Sequence, residues 1–571
     1  MEKKILIEVA VVAPIEKTFY YTVPDEYSSR ALLGMKVTVP LGKRPVTGYI
    51  VGFPDAQGVS SELSNLKIVD IKEIPDSEPA FTQAMLDLYK WIADYYISPL
   101  GDVIKTALPV SKGKVKKERV AVILDPEVQE ALMTPKEEKV LSFIRLKGRV
   151  PMRDINAEFG SPYEIIKKLA TKGLISMVEE EVSRVVCKQK LQANPSPAFT
   201  EPQLKAFSEI KAAMERGGFS PFLLHGVTGS GKTEVYLRVI EEALNIGKGA
   251  IVLVPEISLT PQLLSRFRSR FGDKVAALHS ALSDGERFDE WRRVKRGEAR
   301  IVVGARSAIF APMDDLGVIV VDEEHDHSYK QEESPRYNAR DVALVRGKMV
   351  RGVVILGSAT PSMESYHNAK TGKFNYLSLP DRVQERPMPQ ISVVDMKDTG
   401  KRQIFSSQMT ESLNRCIEEK KQALLFLNRR GFSTFLICSD CGYTFGCPNC
   451  SISLIYHQGE GLLRCHYCDY VQKAFPVCPA CKGGNVGHLG LGTEKVEEEV
   501  KKALPDSRVA RMDRDTVSRK GSHERILKSM EDGELDILIG TQMVTKGHDY
   551  PNITMVGVIS ADISLNLPDF R

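Results

Sequence analysis

A glycine-rich loop between an apolar run and an amphipathic run limits the fold of this chain more than any other feature. In FLLHGVTGSGKTEVYLRVIEEAL, the pattern Gly226-x-x-x-x-Gly231-Lys232-Thr233 follows a predicted strand and opens a predicted helix, which is the context of a P-loop. The glycines let backbone N–H groups approach phosphate oxygens, while the lysine charge and the threonine hydroxyl serve the phosphates and Mg²⁺. We therefore predict an α/β domain that binds ATP and Mg²⁺. The predicted nucleotide-binding residues of this loop are Gly226, Val227, Thr228, Gly229, Ser230, Gly231, Lys232 and Thr233.

An acidic sequence after a later apolar run supplies the second half of the predicted ATP site. In LGVIVVDEEHDHSYKQ, the predicted strand GVIVV ends in the sequence DEEH, at Asp322 to His325. Asp322 can hold the Mg²⁺ shell, and Glu323 can orient and deprotonate the attacking water. Acidic residues at a strand end are often merely solvated, but these follow a P-loop along the same chain. The predicted catalytic residues are Lys232, Thr233, Asp322 and Glu323.

Eight of the ten cysteines form four CxxC pairs within one short segment. In a reducing cytoplasm such pairs favour zinc over disulfides, and four pairs supply two sites of four thiolates each. These closed sets leave no open position, so we expect two structural Zn²⁺ ions. A nested pairing is preferred, with the outer two pairs on one ion and the inner two on the other, while a sequential pairing stays open. The predicted ligands are Cys438, Cys441, Cys447, Cys450, Cys465, Cys468, Cys478 and Cys481.

At 571 residues the chain is too long for a single hydrophobic core. From residue 199 predicted strands alternate with helices, which indicates parallel α/β layers, and the cysteine segment interrupts this alternation. Short β-rich runs precede residue 108, and TPKEEKVLSFIRLKG begins a winged-helix pattern that could contact DNA or protein. The predicted domains are 1–108 (β-rich), 109–133 (basic linker), 134–190 (winged helix), 191–385 (first lobe), 386–437 with 486–571 (second lobe) and 438–481 (two-zinc insertion).

The composition places few limits on partners and excludes a membrane-spanning segment. The formal net charge is only +4, which neither demands nor excludes nucleic acid because local patches matter more. No apolar run reaches the roughly 18 residues of a membrane span. The N-terminus lacks a clear cleavage site for a signal peptide. We therefore expect a cytoplasmic protein, and we expect it to be a monomer.

Several further segments, in their order, resemble the superfamily 2 helicases and, within them, the PriA family, also called primosomal protein N′. The resemblance covers essentially the whole chain and includes TFYYTVP and VPLGKR near the N-terminus. It implies two RecA-like helicase lobes with the two-zinc insertion, preceded by a β-rich DNA-binding domain and a winged-helix domain. The segments are LVPEISLTPQ, VGARSAIFAP, GSATPSMES, FLNRRGFS, LGTEKVEEEV and GTQMVTKGHDYPNIT.

The resemblance also implies an activity and partners. Members of the family recognise stalled forks and D-loops, unwind DNA in the 3′-to-5′ direction and help to reload the replicative helicase. The implied partners are forked and single-stranded DNA, the 3′ end of a nascent strand, primosome proteins, the loader of the replicative helicase and single-strand-binding protein. Gln203 matches the adenine-side glutamine of the family. The implied DNA-contacting residues are Phe19, Gly34 and Lys67 in the N-terminal domain and Tyr329, Lys330, Arg336, Tyr337 and Arg340 in a loop after DEEH.

The family pattern continues beyond the position of Arg571 with a QVAGRAGR-like segment, whose arginine completes the ATP site. An arginine finger contributes about 10³–10⁵ in rate. We therefore expect a polypeptide that ends at Arg571 to bind ATP weakly and hydrolyse it poorly. Two alternatives to a restart helicase follow: a non-hydrolysing assembly scaffold that binds forked DNA, or another superfamily 2 translocase.

Overall fold

The fold is described from a computed structural model of the chain. Two compact units divide it, Met1–Glu256 with Ser265–Glu385 and Ile257–Leu264 with Arg386–Arg571. All structural statements concern the residues that the structure describes. These are 5–54, 68–109, 117–124, 133–181, 197–255, 261–280, 282–383, 389–396, 404–427, 436–438, 440–450, 452–457, 461–488, 492–513, 516, 522–541, 544 and 550–561.

The N-terminal part of the first unit is an antiparallel sheet followed by two helices. Its elements are β1 (Ile5–Val11), β2 (Phe19–Val23), β3 (Lys36–Leu41), β4 (Arg44–Gly52), α1 (Gln83–Tyr95) and α2 (Leu100–Ala107). The strand order is β2-β1-β4-β3. Alternate residues of β1, among them Ile7 and Val9, enter a small core below the sheet. The β-rich prediction for this region is confirmed.

The helix α1 belongs to the core of the neighbouring lobe as much as to its own domain. Leu86 and Tyr89 are buried in a cluster that also contains Phe310 and Tyr337 from later in the chain. The rings of Tyr89 and Phe310 lie 6.2 Å apart, centre to centre. An aromatic contact of this kind buries large apolar areas on both partners, so the N-terminal domain is held to the lobe through α1.

A winged-helix unit follows, and it uses part of the predicted linker. Its elements are β5 (Lys117–Ile123), α3 (Pro135–Lys147), β6 (Arg149–Pro151), α4 (Met152–Phe159), α5 (Tyr163–Thr171) and β7 (Ile175–Glu181). The Thr134 side chain caps α3 through Glu137, as the sequence indicates. The assignment of 109–133 as a linker is wrong for β5, which pairs with β7 along seven residues. Apolar residues of β5 such as Ala121 are buried under the helices. The sequence did not predict this short strand because basic residues flank it.

The first lobe contains a seven-stranded sheet in which all strands are parallel. Its strands β9 and β13 are buried along their whole length, as expected for a sheet covered on both faces. The strand order is β10-β11-β9-β12-β13-β8-β14. The elements are α6 (Glu201–Arg216), β8 (Ser220–Gly226), α7 (Lys232–Asn245), β9 (Gly249–Leu253), α8 (Pro261–Phe271), β10 (Val275–Leu278), α9 (Asp284–Lys295), β11 (Ile301–Gly304), β12 (Leu316–Asp322), α10 (Ala339–Met349), β13 (Val353–Ser358), α11 (Met363–Lys370) and β14 (Asn375–Leu379).

The second unit contains a four-stranded parallel sheet in the order β21-β22-β15-β23. The cysteine module follows β15 along the chain and precedes α13 and β21. The short strands β16 and β20 pair antiparallel and bring the two ends of the module together. The elements are α12 (Ser407–Glu418), β15 (Gln422–Leu427), β16 (Leu436–Cys438), β17 (Ile455–His457), β18 (Leu462–Arg464), β19 (Val471–Lys473), β20 (Val486–His488), α13 (Thr493–Ala503), β21 (Val509–Met512), α14 (Ser522–Glu531), β22 (Ile537–Gly540) and β23 (Ile553–Ile559).

Candidate ATPase site and metal centres

Three strand ends at one edge of the seven-stranded sheet carry the predicted ATP-site motifs. The strands β8, β13 and β12 are adjacent, and they run into the P-loop, the GSAT segment and the DEEH segment. Because carboxyl ends of parallel strands share one edge, the three motifs are brought together there. The sheet order therefore assembles a site from segments that lie far apart in the sequence.

The P-loop has the backbone shape that its glycines make possible. Gly229 and Gly231 have φ values of 81° and 80°, in the left-handed region that side chains other than glycine rarely adopt. A Cβ atom at Gly226 would lie 2.6 Å from the Ser230 hydroxyl. Lys232 begins α7, and its Nζ donates a hydrogen bond of 2.8 Å to the Gly226 carbonyl. The lysine is thus held across the loop that it would serve.

Gln203 forms hydrogen bonds that link the P-loop to the start of α6. It is buried, and its Nε2 donates a hydrogen bond of 2.8 Å to the carbonyl of Ser230. Its Oε1 accepts a hydrogen bond of 2.9 Å from the backbone N–H of Thr200, at the start of α6. A Cβ atom at Gly231 would lie 2.3 Å from this Nε2. The amide therefore links the start of α6 to the loop, and contact with adenine stays a prediction.

A tyrosine on α7 joins the P-loop helix to the acidic motif. Tyr236 lies one helical turn after Lys232, and its hydroxyl donates a hydrogen bond of 3.0 Å to Oδ1 of Asp322. Burial raises the pKa of Asp322 to about 6, with the charge of Glu323 acting in the same direction and Lys232 opposing it. The sequence analysis missed Tyr236. Its spacing of four residues from Lys232, which places both on one helix face, could have revealed it.

The second acid of the motif lies in a strained backbone position. Glu323 has a φ of 48°, which costs about 1–3 kcal/mol for a residue other than glycine. Its carboxylate lies 3.7 Å from Nδ1 of His325, and that nitrogen also forms a hydrogen bond of 2.8 Å with the Ser358 hydroxyl. The Ser358 oxygen accepts a further hydrogen bond from the N–H of Thr360. The acidic motif is therefore joined directly to the GSAT segment.

Glu324 is a buried charge that the sequence analysis did not assign. Its carboxylate accepts hydrogen bonds from the backbone N–H and hydroxyl of Ser362 and from the hydroxyl of Ser365. It also forms an ion pair of 3.1 Å with Arg340. Buried charges occur where partners satisfy them. Glu324 thus connects the acidic motif, the start of α11 and the start of α10.

The loop between β12 and α10 contains two buried tyrosines. The Tyr329 hydroxyl contacts the carbonyls of Asp322 at 2.5 Å and Leu253 at 3.0 Å. The Tyr337 ring lies 5.1 Å from that of Phe310. Neither ring reaches the surface, so we revise both from DNA contacts to positioning residues. Their burial in the lobe core could not be read from the aromatic composition of the loop.

Three cations are predicted to contact DNA, two in this loop and one at the start of α10, and their environments differ. Arg340 is mostly buried between Glu324 and Asp341, so its local role is to neutralise those carboxylates. Lys330 and Arg336 are exposed, and the Lys330 amine donates a hydrogen bond to the Arg336 carbonyl. These two residues stay the predicted DNA contacts of the loop.

The three N-terminal candidates for DNA contact differ in their surroundings, and the structure describes two of them. Phe19 is half-buried at the start of β2. Gly34 has a φ of 79°, and a Cβ atom there would lie 2.2 Å from the Phe81 carbonyl oxygen. Lys67 lies outside the described residues. The glycine is therefore required by the backbone, whatever its relation to DNA.

Several motif segments also lie wholly or largely outside the described residues. They include most of FLNRRGFS and GTQMVTKGHDY, the centre of LVPEISLTPQ and the C-terminal residues after 561. The described ends of these segments show that the first follows β15 and the second follows β22.

The eight clustered cysteines form two groups, and the grouping is the nested one. All four sulfur atoms of each group lie within 4.8 Å of one another. Sulfur pairs such as Cys438 with Cys481 and Cys447 with Cys468 are 3.6 Å apart. A tetrahedral zinc ion with Zn–S bonds of about 2.3 Å requires sulfur separations of about 3.8 Å. The groups are Cys438, Cys441, Cys478 and Cys481, and Cys447, Cys450, Cys465 and Cys468.

Charge within the inner cysteine group also fits a bound cation. The pKa of Cys450 is raised to about 12, foremost by its hydrogen bond with Cys468. The pKa of Cys468 is lowered to about 7, foremost by the backbone N–H of Tyr470. Four thiolates at this spacing repel one another unless a cation neutralises them. Two Zn²⁺ ions therefore fit these closed sulfur sets as structural metals.

Comparison with protein families accounts for three parts of the chain. Residues 8–109 match the family described as the 3′DNA-binding domain (3′BD) of PriA. Residues 200–369 match the DEAD/DEAH box helicase family. Residues 447–473 match the PriA DNA helicase Cys-rich region (CRR) domain.

Curated relatives extend the match to nearly the whole chain. The replication restart protein PriA of Bacillus subtilis is 39% identical, over 98% of this chain and 78% of its own length. That of Haemophilus influenzae is 38% identical, over 99% of this chain and 78% of its own length. This chain belongs to the PriA family of replication restart proteins. It is accordingly a PriA-type, ATP-dependent DNA helicase.

The family assignment agrees with the parallel sheet in each unit and with the inserted cysteine module. ATP and Mg²⁺ are therefore assigned to the P-loop lobe, and two structural Zn²⁺ ions to the cysteine-rich region. A solved structure of RecG bound to a three-way DNA junction is 18% identical, with a TM-score of 0.39 over 63% of this chain and 38% of RecG. The assignment to PriA does not rest on that likeness. Within the described residues, no helix is long and apolar enough to cross a membrane.

Proposed function

We propose that this chain uses ATP hydrolysis to move along DNA in the 3′-to-5′ direction at stalled forks and D-loops. By unwinding DNA there it would initiate primosome assembly. The observation that carries this proposal is the hydrogen bond between Tyr236 and Asp322, because it joins the P-loop helix to the acidic motif. The PriA relatives are replication restart proteins, which supports a role at stalled forks.

Binding of the nucleotide is assigned to the P-loop of β8 and α7. The left-handed glycines leave the backbone N–H groups of the loop free of Cβ atoms, so that phosphate oxygens can approach them. Lys232 would exchange its hydrogen bond to the Gly226 carbonyl for contacts with the β- and γ-phosphates. Gln203 holds the loop in place through its hydrogen bond to the Ser230 carbonyl. The Thr233 hydroxyl would serve as a ligand of the metal. Mg²⁺, when bound with ATP, neutralises phosphate charge.

Hydrolysis is assigned to the two acids at the end of β12. Asp322 would hold the metal shell, and Tyr236 orients its carboxylate through the 3.0 Å hydrogen bond. Glu323 accepts the proton of the attacking water. His325 lies beside Glu323 and forms a hydrogen bond with Ser358. A movement of the GSAT segment therefore changes the position of His325 and, through it, that of Glu323, the general base.

DNA contact is assigned to the exposed cations of the loop before α10 and to the N-terminal domain. Lys330 and Arg336 would contact the phosphate backbone, and Phe19 with Lys67 would receive the 3′ end of a nascent strand. Tyr329 at the start of the loop bonds the Asp322 carbonyl. A shift of this loop on DNA therefore changes the position of the metal-binding acid, which couples DNA to hydrolysis.

The partners proposed for this activity follow from the family. They are single-stranded and forked DNA, primosome proteins, the loader of the replicative helicase and single-strand-binding protein. We place the protein in the cytoplasm as a monomer.

The proposal is tested by comparing wild type with Lys232→Ala. We expect the variant to lose most binding of a fluorescent ATP analogue and any ATP hydrolysis stimulated by forked DNA. Lys373→Ala is the matched control, since Lys373 is exposed just before β14, at the opposite edge of the sheet. Equal nucleotide binding and hydrolysis by wild type and Lys232→Ala would exclude this engine. Fork unwinding assayed with a label on either strand tests the direction.

A further inference from the structure

A group of aromatic rings at the end of α1 lies on the surface beside the predicted DNA loop. The rings of Trp91 and Tyr95 are stacked, 4.8 Å apart with an angle of 15° between their planes. Tyr96 meets Tyr95 edge to face at 4.9 Å. Tyr95 is 61% exposed and Ile97 is 88% exposed. We call Trp91, Tyr95, Tyr96 and Ile97 the α1 platform.

The turn that carries Ile97 holds an apolar side chain in water at a cost. Ser98 N–H bonds the Ala93 carbonyl and Ile97 N–H bonds that of Asp94, which is the hydrogen-bond pattern of a Schellman motif. Glycine is the usual residue at the position of Ile97, which here has a φ of 50°. A β-branched residue with positive φ is a rare outlier. Its exposure gives no packing gain in the free protein, so both costs point to an occupant.

The surroundings of the platform match the chemistry of single-stranded DNA. The Lys330 amine lies 5.1 Å from the centre of the Tyr96 ring, so a cation borders one ring of the platform. The Tyr96 hydroxyl also accepts a hydrogen bond of 3.1 Å from the N–H of Asn338. Rings beside a cation bind unpaired bases and their phosphates. The platform is thus continuous with the loop to which we assign DNA contact.

We propose that the α1 platform stacks an unpaired base of single-stranded DNA, with Tyr95 and Ile97 contacting the base and Lys330 its phosphate. The inference rests on the proposed DNA function and adds a binding site to it. Bases in a duplex are already stacked on both faces, so the platform discriminates against paired DNA. The hydrogen bond between Asn338 and Tyr96 also joins the platform to the loop whose Tyr329 contacts the Asp322 carbonyl.

The first test compares oligo-dT with a blunt duplex of equal length by fluorescence anisotropy. Loss of one aromatic stack corresponds to about a 5- to 150-fold change in affinity. We expect Tyr95→Ala to weaken oligo-dT binding within that range and to leave duplex binding nearly unchanged. Tyr95→Phe keeps the ring and should retain wild-type affinity. Since Tyr95 is largely exposed, its loss leaves the core intact.

The second test separates binding from folding at Ile97. Ile97→Gly relieves the positive φ, so we expect a higher midpoint of thermal unfolding together with weaker oligo-dT binding. A residue with a purely structural role would not give that combination. The matched control is Ser161→Gly, which relieves a φ of 53° on another exposed turn. It should leave oligo-dT binding unchanged.

The third test uses an intrinsic probe, because the chain has only two tryptophans, Trp91 and Trp291. In a Trp291→Phe background, we expect oligo-dT to quench the Trp91 emission, and Tyr95→Ala to reduce that quenching. A wild type that binds oligo-dT while Tyr95→Ala and Ile97→Gly bind it equally well overturns the platform and leaves the proposed DNA function standing. A wild type that binds neither oligo-dT nor forked DNA overturns both.

Discussion

The hydroxyl group of Tyr236 donates a hydrogen bond to a carboxylate oxygen of Asp322, with the two oxygens 3.0 Å apart. The donor lies on the P-loop helix and the acceptor at the end of β12. A Cβ atom at Gly357 on the intervening strand would lie 1.7 Å from that hydroxyl. The contact therefore requires glycine at the end of β13, and the three motifs depend on one another.

Replacement of Tyr236 by phenylalanine should raise the Mg²⁺ requirement of nucleotide binding. The variant keeps the ring but removes the donor, so Asp322 loses a hydrogen bond that favours its charged form. Such bonds contribute about 1.5–3 kcal/mol, which corresponds to about tenfold or more in the Mg²⁺ concentration at half-saturation. A Mg²⁺ titration of fluorescent ATP binding measures this. Tyr163→Phe, an exposed tyrosine on α5, is the control. An unchanged titration for Tyr236→Phe would contradict the role.

The pKa of Asp322, raised by burial to about 6 from 3.8, predicts a pH dependence for the same site. Mg²⁺ needs the carboxylate, so the affinity for Mg²⁺ with nucleotide should fall as the pH drops below 6 and level off above it. Without ligand, the stability of the fold changes with pH in the opposite direction to the Mg²⁺ affinity. The folded chain holds this proton more tightly, so the free energy of unfolding falls as pH rises from about 4 to 6. Binding measured from pH 5 to 8 tests the first statement, with Asp322→Asn as a variant that should lack the step at pH 6.

Paired cysteine substitutions should distinguish the nested from the sequential zinc arrangement. Cys441→Ala with Cys478→Ala removes two ligands of one group, so we expect zinc to fall from two ions to one per chain. Cys441→Ala with Cys447→Ala removes one ligand from each group and should release both ions. Metal analysis of the purified proteins reads out the result. Cys416→Ala, at a buried cysteine outside both groups, should keep two ions, and the reversed pattern would support sequential pairing.

Arg336, in the loop before α10, and Arg340, at the start of α10, should behave differently when each is changed to alanine. Arg340→Ala leaves Glu324 buried with one ionic partner fewer, and breaking a buried pair costs about 3–5 kcal/mol. Arg336 is exposed, so its loss should change stability by less than about 0.5 kcal/mol while weakening DNA binding. Urea unfolding and DNA titrations of both variants measure this. Equal destabilisation would contradict the division between positioning and contact.

Two glycines with positive φ, one before β3 and one after it, offer a matched pair. Gly34→Ala adds a Cβ atom 2.2 Å from the Phe81 carbonyl, whereas Gly42→Ala meets nothing within 4 Å. Both changes incur the conformational cost of about 1–2 kcal/mol, and only the first adds a backbone clash. We expect Gly34→Ala to cost about 3 kcal/mol or more. Hydrogen exchange of the β3 and β4 amides in the intact chain measures each effect. Similar exchange in the two variants would show that steric contact at Gly34 is unimportant.

Local sequence patterns predicted the motifs of this protein because their chemistry is local. The glycines of the P-loop, the acids after an apolar strand and the CxxC pairs each work through residues a few positions apart. The capping box at Thr134 belongs to the same class. Patterns of this kind can be read without knowing which strands are neighbours.

Features that depend on distant partners could not be read in the same way. The strand β5 lies in a basic stretch, and it forms because β7 and the helices α3 and α4 cover it. Tyr329 and Tyr337 resemble exposed DNA contacts in sequence, but the core beside Phe310 buries them. The nested cysteine pairing follows from β16 and β20, whose pairing brings Cys438 near Cys481.

By itself the sequence determined the chemical parts of this protein: a phosphate loop, a pair of carboxylates and two sets of zinc ligands. Only the tertiary structure decided their geometry, because the order of β12, β13 and β8 in the sheet sets which side chains meet. It also decided which residues around them are buried. Tyr236, Glu324 and the α1 platform acquire their roles from neighbours that lie far away along the chain.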